Sequence, residues 1–391
     1  MSDNWNDTAV EASGTASVTE ISHVSWLERV KGALIGVLIG LLLIPLAIIL
    51  LAWNEGRAIH TARSLAEGSR LVISVPVEQV AVANEGKLIH VAGPVRVVAE
   101  LRDAEFGLRL PGAVKLRRQV EMFQWVEDQR SETQSKFGGG QETVTTYSYA
   151  QRWSSTAIDS SRFRDLRGHD NPPMRHRAQE ETARSATMGA FILSAGVLQE
   201  LNAFQPLASD LIPARPGASA IEGGLYLGRS PDAPMIGDMR ITWAVVPAAE
   251  ASVIGQQRGQ EVAPFPTQAG NPLLLVANGL VTPSAMIDQA VQDNAIITWL
   301  LRLLGTALIY GGAILLLRPL VVLADIMPFM GAVAGLGVGL LALVIALLVA
   351  PVTIALAWLW FRPLMAFSLL SAVGLAAFFI MHRFARAPRS A

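Results

Sequence analysis

Four long apolar stretches constrain this chain more than any other feature: Ala33–Trp53, Leu300–Leu323, Met327–Trp360 and Leu364–His382. A helix needs about 20 apolar residues to cross roughly 30 Å of hydrocarbon. The first stretch carries no charge and only Pro45 as a helix breaker. The second runs between Arg302 and Arg318, so Arg302 must snorkel or face protein. The third is long enough to tilt or to begin at the interface. The fourth is short and is expected to form a hairpin with the third through Phe361-Arg362-Pro363. One stretch lies near the N-terminus and three near the C-terminus, bracketing a polar segment over residues 54–298.

About 30 residues precede the first stretch, and its exit Leu51-Ala52-Trp53-Asn54 lacks a small-x-small cleavage pattern. It is therefore expected to be a retained anchor rather than a cleaved signal. Basic residues in short flanks set orientation, whereas long domains translocate largely regardless of charge. Arg29, Lys31, Arg318, Arg383, Arg386 and Arg389 fall on the side of the termini, against Arg362 in the one short loop opposite. The termini are expected to be cytoplasmic and the inserted domain extracytoplasmic. Arg57, Arg63 and Arg70 weigh mildly the other way, but they belong to the long domain.

Residues 1–24 hold no Lys or Arg and are rich in Ser, Thr, Asn, Asp and Glu, which predicts a disordered acidic tail. Residues 25–53 are assigned to an interfacial helix, beginning near Ser22 and carrying Trp26, and the first transmembrane helix. Residues 299–382 form a three-helix membrane bundle and 383–391 a basic cytoplasmic tail. The fold class is thus an α+β membrane protein with four transmembrane helices, one N-terminal and three C-terminal, and an inserted β-rich extracytoplasmic domain.

Within that domain Leu71–Val75, Lys87–Val91 and Val95–Ala99 are predicted strands, with Pro94 marking a break. Further strands are expected at Met239–Pro247, Ser252–Gln257 and Leu273–Ala277, forming a compact sheet or small barrel. Arg117–Glu127 and Thr143–Trp153 alternate in polarity around a Gly-containing turn, predicting a hairpin. Period two places Phe123, Trp125, Tyr147, Tyr149 and Trp153 on one face. That face is either a packed sheet surface or an exposed aromatic patch for a partner or the membrane interface. Gln179–Asn202 is predicted as an amphipathic helix through Met188, Ile192 and Leu198. Ser284–Thr298 is predicted to be helical and to continue into the second span.

The chain has no Cys, which removes disulfides and thiol nucleophiles; its net charge of -1 gives no footing for nucleic acid. His169, Asp170 and His176 lie close in sequence, but Arg164, Arg167, Arg175 and Arg177 surround them and favour a solvated turn over a metal site. No Gly-x-Ser-x-Gly elbow or phosphate loop is present. Glu55 and Glu85 each sit in an Asn-Glu-Gly run that predicts a turn. Arg318-Pro319 and Arg362-Pro363 predict helix ends. No catalytic residue, cofactor or metal is expected.

Gly32, Gly36 and Gly40 in the first span, and Gly331, Gly335 and Gly339 in the third, recur every four residues. Each ladder leaves one helix face open to close approach of another backbone. These faces are expected to mediate helix contacts, within the bundle or between copies.

The chain resembles the transmembrane protein 43 family, also called LUMA. The resemblance rests on Asn54-Glu55-Gly56-Arg57-Ala58, Ser64-Leu65-Ala66-Glu67-Gly68 and Asn84-Glu85-Gly86-Lys87-Leu88-Ile89-His90. Its most specific run is Val114-Lys115-Leu116-Arg117-Arg118-Gln119-Val120-Glu121-Met122-Phe123-Gln124-Trp125-Val126-Glu127. Tyr147-Ser148-Tyr149 with Trp153, Gly237-Asp238-Met239-Arg240, Gln257-Arg258-Gly259 and Phe361-Arg362-Pro363-Leu364 extend it. It covers nearly everything from Trp26 onward; the acidic tail and the region after Phe204 fit poorly. The resemblance implies four spans with a lumenal domain, and for animal members a place in the endoplasmic reticulum and inner nuclear membrane. It also implies self-association and the organisation of envelope complexes with lamins and emerin. A bias to Arg over Lys suggests a bacterial source, for which the cytoplasmic (inner) membrane is the expected location and those partners would not exist.

The expected function is a non-catalytic multi-pass scaffold that self-associates and organises protein complexes or lipid. Its partners would be membrane lipid, copies of itself and other envelope proteins. A membrane enzyme or lipid-modifying accessory, and a channel or transport component, are the alternatives.

Overall fold

A computed structural model describes residues 17–361 together with Ser371. Apart from Ser371, the predicted fourth span lies outside those residues, as do the basic tail and the tail before Ser17. Three described helices are long and apolar enough to cross a membrane. In chain order the elements begin with β1 (Ser17–Val24), α1 (Trp26–Leu71), β2 (Ile73–Ser74), β3 (Leu88–Arg96), β4 (Leu101–Asp103) and β5 (Leu108–Leu110). The hairpin strands β6 (Ala113–Ser135) and β7 (Gln141–Ser154) follow, then β8 (Gln179–Thr182), β9 (Ala186–Met188), β10 (Phe191–Leu193) and α2 (Ala195–Glu200). The domain closes with β11 (Gln205–Pro206), β12 (Ala218–Ile221), β13 (Gly224–Leu227), β14 (Met239–Pro247), β15 (Glu250–Arg258), β16 (Glu261–Ala263) and β17 (Leu275–Asn278). The long helices α3 (Pro283–Ala324) and α4 (Pro328–Phe361) complete the described chain.

The chain divides into two compact units. Among the described residues the first holds 17–22, 64–132 and 144–290, and it is β-rich. Its larger sheet has the order β1-β7-β6-β14-β13-β12, with β8 also on β6 and β11 on β14. In the second sheet, β3 pairs with β15, β15 with β16, β16 with β10, β10 with β9, and β9 with β3. Those pairings return to their starting strand, so five strands close a small barrel, and closure removes sheet edges. Alternation fills its interior: Ile89, Val91, Met188, Phe191, Leu193, Val253 and Val262 are buried in one cluster. The last turns of α1 and the first of α3 belong to this unit, where Leu65, Met286 and Ile287 pack with Leu88, Ile254 and Leu273.

Four local expectations change. Residues 17–24, assigned to the disordered tail, form β1 on the edge of β7. Pro94 does not break β3; it stands opposite Glu250 in a continuous ladder. The helix expected over Gln179–Asn202 is three strands and one short helix. Gly189 turns β9 into β10 with φ +58°, and a Cβ there would stand 2.1 Å from the Val77 carbonyl oxygen. Only glycine fits that turn, and it breaks the helical period. Lastly, Pro319 does not end α3, which continues to Ala324.

The second unit holds residues 23–63, 133–143 and those from Val291 onward. Here α1 and α3 run antiparallel: the Trp26 indole donates to the Val322 carbonyl at one end, and the Asn54 amide donates to the Thr298 carbonyl at the other. Ala47, Leu51, Ile309, Ala346 and Ala350 form the buried centre where α4 joins them. Leu34, Leu38, Leu41, Leu303, Leu336 and Leu347 stay exposed, as a bundle solvated by lipid requires.

Candidate functional site

Within the domain, the odd-numbered face of the β6–β7 hairpin brings the predicted aromatic residues together. Phe123 and Trp153 have ring centroids 5.3 Å apart. Trp125 meets His169 edge-on at 4.7 Å, and Tyr149 stacks on the same His169 at 4.0 Å. The loop over residues 160–171 covers this part of the face. Asn171 holds it down by accepting from the Trp125 amide at 2.7 Å and donating to the Trp125 carbonyl at 2.9 Å. Tyr149 donates to Glu127 at 2.7 Å; burial, then that carboxylate, push its hydroxyl up to about 12. Tyr147 bonds Glu20 of β1 at 3.4 Å.

His169 and His176 are drawn apart by different partners. His169 is buried and bonds the Asp165 carbonyl, whereas His176 pairs with Glu105 at 2.5 Å. The His176 hydrogen bond, with Arg118 nearby, holds the Glu105 carboxyl below its usual range. Arg118 is itself buried and donates to both oxygens of Asp103, whose second oxygen also accepts from the Trp243 indole. Charged groups buried here are thus paired and hydrogen-bonded. Beside the hairpin, Arg240 lies 4.0 Å over the Trp153 ring and bridges Glu121 at 2.9 Å, on the wall of an open pocket of about 380 Å³.

The helical unit holds a second polar constellation, which sequence reasoning missed. Asn54-Glu55-Gly56 is not a turn; it lies inside α1. Helical geometry keeps Asn54, Glu55 and Ala58 within one turn, directed at α3. Glu55 is 1% exposed and accepts from Nε and Nη2 of Arg302 at 2.7 and 2.8 Å. The Trp358 indole of α4 adds a third bond to Glu55 at 2.6 Å. Arg302 also lies 4.8 Å over the Trp299 ring and 5.7 Å from that of Trp358. One turn along, Arg57 donates to Asn294 and Thr298, and Asn294 returns a bond to the Ala58 carbonyl. Three helices are thereby joined by one network at the level where the apolar run of α1 ends. Arg302 faces protein, as its depth demanded, but its partner is a carboxylate 247 positions away in sequence. Glu85, the other Asn-Glu-Gly acid, instead accepts from the Gly259 amide in the domain.

Of the predicted glycine ladders, Gly40 makes the close approach. A Cβ there would stand 2.6 Å from the Gly312 carbonyl oxygen of α3. Gly36 faces Leu315 at 3.5 Å and Gly32 faces open space. On α4, Gly331 lies against Asp325 just before its own helix, while Gly335 and Gly339 have ordinary neighbours at 3.9 and 3.8 Å. Gly305 and Gly312 of α3, seven apart and not singled out by spacing, supply the matching flat surface against Leu51 and Ile44.

At the end where α1 begins, the hairpin tip 133–143 joins the bundle. Arg29 pairs with Asp325 at 2.5 Å and donates to the Gly139 carbonyl at 2.6 Å. Ser135 also donates to Asp325, and the Gly138 amide bonds the Ile326 carbonyl. Gly139 has φ +80°, and a Cβ on it would run into the Trp26 ring at 2.3 Å.

A family model described as Transmembrane protein 43 matches residues 122–363. Transmembrane protein 43 of Homo sapiens is 34% identical over 380 residues, 94% of either chain. The Rattus norvegicus protein of that name is 34% identical over 363 residues, 89% of this chain and 90% of its own. The Drosophila melanogaster Transmembrane protein 43 homolog is 31% identical over 339 residues, 82% of this chain and 88% of its own. No solved structure matches. The chain belongs to the transmembrane protein 43 family.

Proposed function

We propose that this protein is a non-catalytic membrane scaffold that self-associates and organises proteins or lipid around its inserted domain. The observation that carries the proposal is the joint of Glu55, Arg302 and Trp358. A charge at membrane depth in a transporter lines a path and must change partners as the helices move. Here the charges lock three helices into one arrangement, which suits a fixed platform. In the domain, His169, Tyr149, Asn171 and Glu127 are likewise engaged in holding a loop on the hairpin. Gly335 and Gly339 have only ordinary neighbours at 3.9 and 3.8 Å, so this part of α4 can shift its packing to admit a second copy, and lipid is the remaining neighbour of the bundle. The membrane would be the cytoplasmic one in a bacterium, or the endoplasmic reticulum and inner nuclear membrane in a eukaryote, with the domain extracytoplasmic.

The test is the mass of the purified protein in detergent and in nanodiscs, by light scattering, for wild type and Gly335→Leu. A defined oligomer that Gly335→Leu dissociates is the expected result. A monomer in both media would overturn self-association.

A further inference from the structure

Two cavities of opposite character adjoin in the helical unit and share Trp299 and Arg302. The polar one, of about 190 Å³, is lined by Glu55, Asn294, Thr298 and Trp358 among others. The apolar one, of about 270 Å³, is lined by Leu303, Thr306, Leu347, Pro351 and Ile354. Leu303, Leu347 and Trp299 are 69%, 57% and 67% exposed, so the apolar cavity opens on the surface that lipid covers. Arg302 sits at the boundary, at the level of Glu55, two residues past the end of the apolar run at Trp53. Trp residues favour that interfacial depth.

From this geometry we infer a phospholipid site, with an acyl chain in the apolar cavity and the phosphodiester in the polar one against Arg302. Charge complementarity supports the headgroup. At the polar cavity Arg302 is balanced by Glu55, and Arg57, bonded to the lining residues Asn294 and Thr298, adds one positive charge for a phosphodiester monoanion. The bonds to Glu55 occupy two of the five guanidinium N–H donors of Arg302, and the others meet no hydrogen-bond acceptor among the described residues. Nearby, the Nε of Arg57 is buried and meets no acceptor among the described residues. A fixed joint with unused donors at headgroup depth, adjoining an apolar recess through Trp299 and Arg302, matches an amphiphile and neither of its halves alone. This inference does not depend on self-association.

The experiment uses native mass spectrometry of the delipidated full chain, titrated with dioleoyl phosphatidylglycerol. Ile354→Trp fills the apolar recess while Glu55 and Arg302 themselves stay unchanged; Leu356→Trp, on the exposed side of the same helix, is the control. One tightly held phospholipid is expected in wild type and in Leu356→Trp, with retention at least tenfold weaker in Ile354→Trp at an unchanged melting temperature. Oleate alone and inorganic phosphate alone should each fail to displace it at equal concentration. Equal retention in Ile354→Trp and wild type would overturn the site. Displacement by oleate would overturn recognition of the headgroup, and displacement by phosphate the need for the chain.

Discussion

Glu55 of α1 and Arg302 of α3 meet through two parallel hydrogen bonds, 2.7 and 2.8 Å long, with the Trp358 indole closing on the same carboxylate. Both side chains are largely removed from solvent, at 2% and 16% exposed. Removing one partner leaves an uncompensated charge, which costs about 3–5 kcal/mol when buried. Glu55→Gln and Arg302→Leu should therefore each lower thermal stability in detergent sharply. The double variant Glu55→Leu with Arg302→Leu should recover much of the loss, because no charge is stranded. Additive losses in the double variant would refute a coupled pair.

The approach of α1 to α3 at Gly40 sets a second expectation. Adding a side chain 2.6 Å from the Gly312 carbonyl must push the helices apart. Overpacking of this kind costs about 1–3 kcal/mol. Gly40→Val should destabilise the bundle and Gly32→Val should not, since nothing stands within 4 Å of a Cβ at Gly32. Melting temperatures of the two variants in one detergent check this; equal values would mean the interface is loose.

In the domain, His90 is buried, bonds the Val281 carbonyl at 3.0 Å, and lies 3.3 Å from the Ser74 hydroxyl. Burial lowers its pKa below the ordinary 6.5. The unfolded chain then takes up a proton more readily than the folded one. This contribution to stability is complete above about pH 6.5 and is lost as pH falls from there to the folded pKa. The carboxylate of Glu105, held below its ordinary 4.5, gives way only in more acid solution, so the two windows separate. Melting curves between pH 7.5 and 5.5 should show a drop that His90→Gln removes. A drop of the same size in His90→Gln would assign it to other groups.

The membrane helices were legible because hydropathy over twenty residues needs no partner to interpret, and the hairpin because two alternating runs flank a glycine turn. Gln179–Asn202 misled because Met188, Ile192 and Leu198 recur near helical spacing, while the deciding fact, Gly189 wedged against Val77, is tertiary. Residues 17–24 lack a hydrophobic run of their own and become a strand only on the edge of β7. The joint escaped notice for a similar reason. Asn-Glu-Gly has turn chemistry locally, and only the neighbouring helices show that Glu55 is the acceptor Arg302 requires. Gly40 was found by its spacing, but Gly305 and Gly312, which it needs opposite, stand seven apart and match no four-residue ladder.

The hairpin tip supplies the last prediction. His23 and Lys136 both bridge Glu142, at 3.7 and 3.1 Å, and Gly139 rests on Trp26 and Arg29 where α1 begins. The tip belongs to the segment inserted between α1 and α3, yet it meets the opposite ends of those helices. If α1 crosses the bilayer, residues on its two flanks face different compartments. The chain has no cysteine, so single cysteines report position without background. His23→Cys and Lys136→Cys should react with a membrane-impermeant maleimide from the same side, and Arg70→Cys from the other. That pattern would put residues 133–143 on the face the start of α1 occupies, as their contacts with Trp26, Arg29 and Asp325 have them. Labelling of Lys136→Cys together with Arg70→Cys, and opposite to His23→Cys, would show instead that the tip does not dock at Asp325 in the membrane.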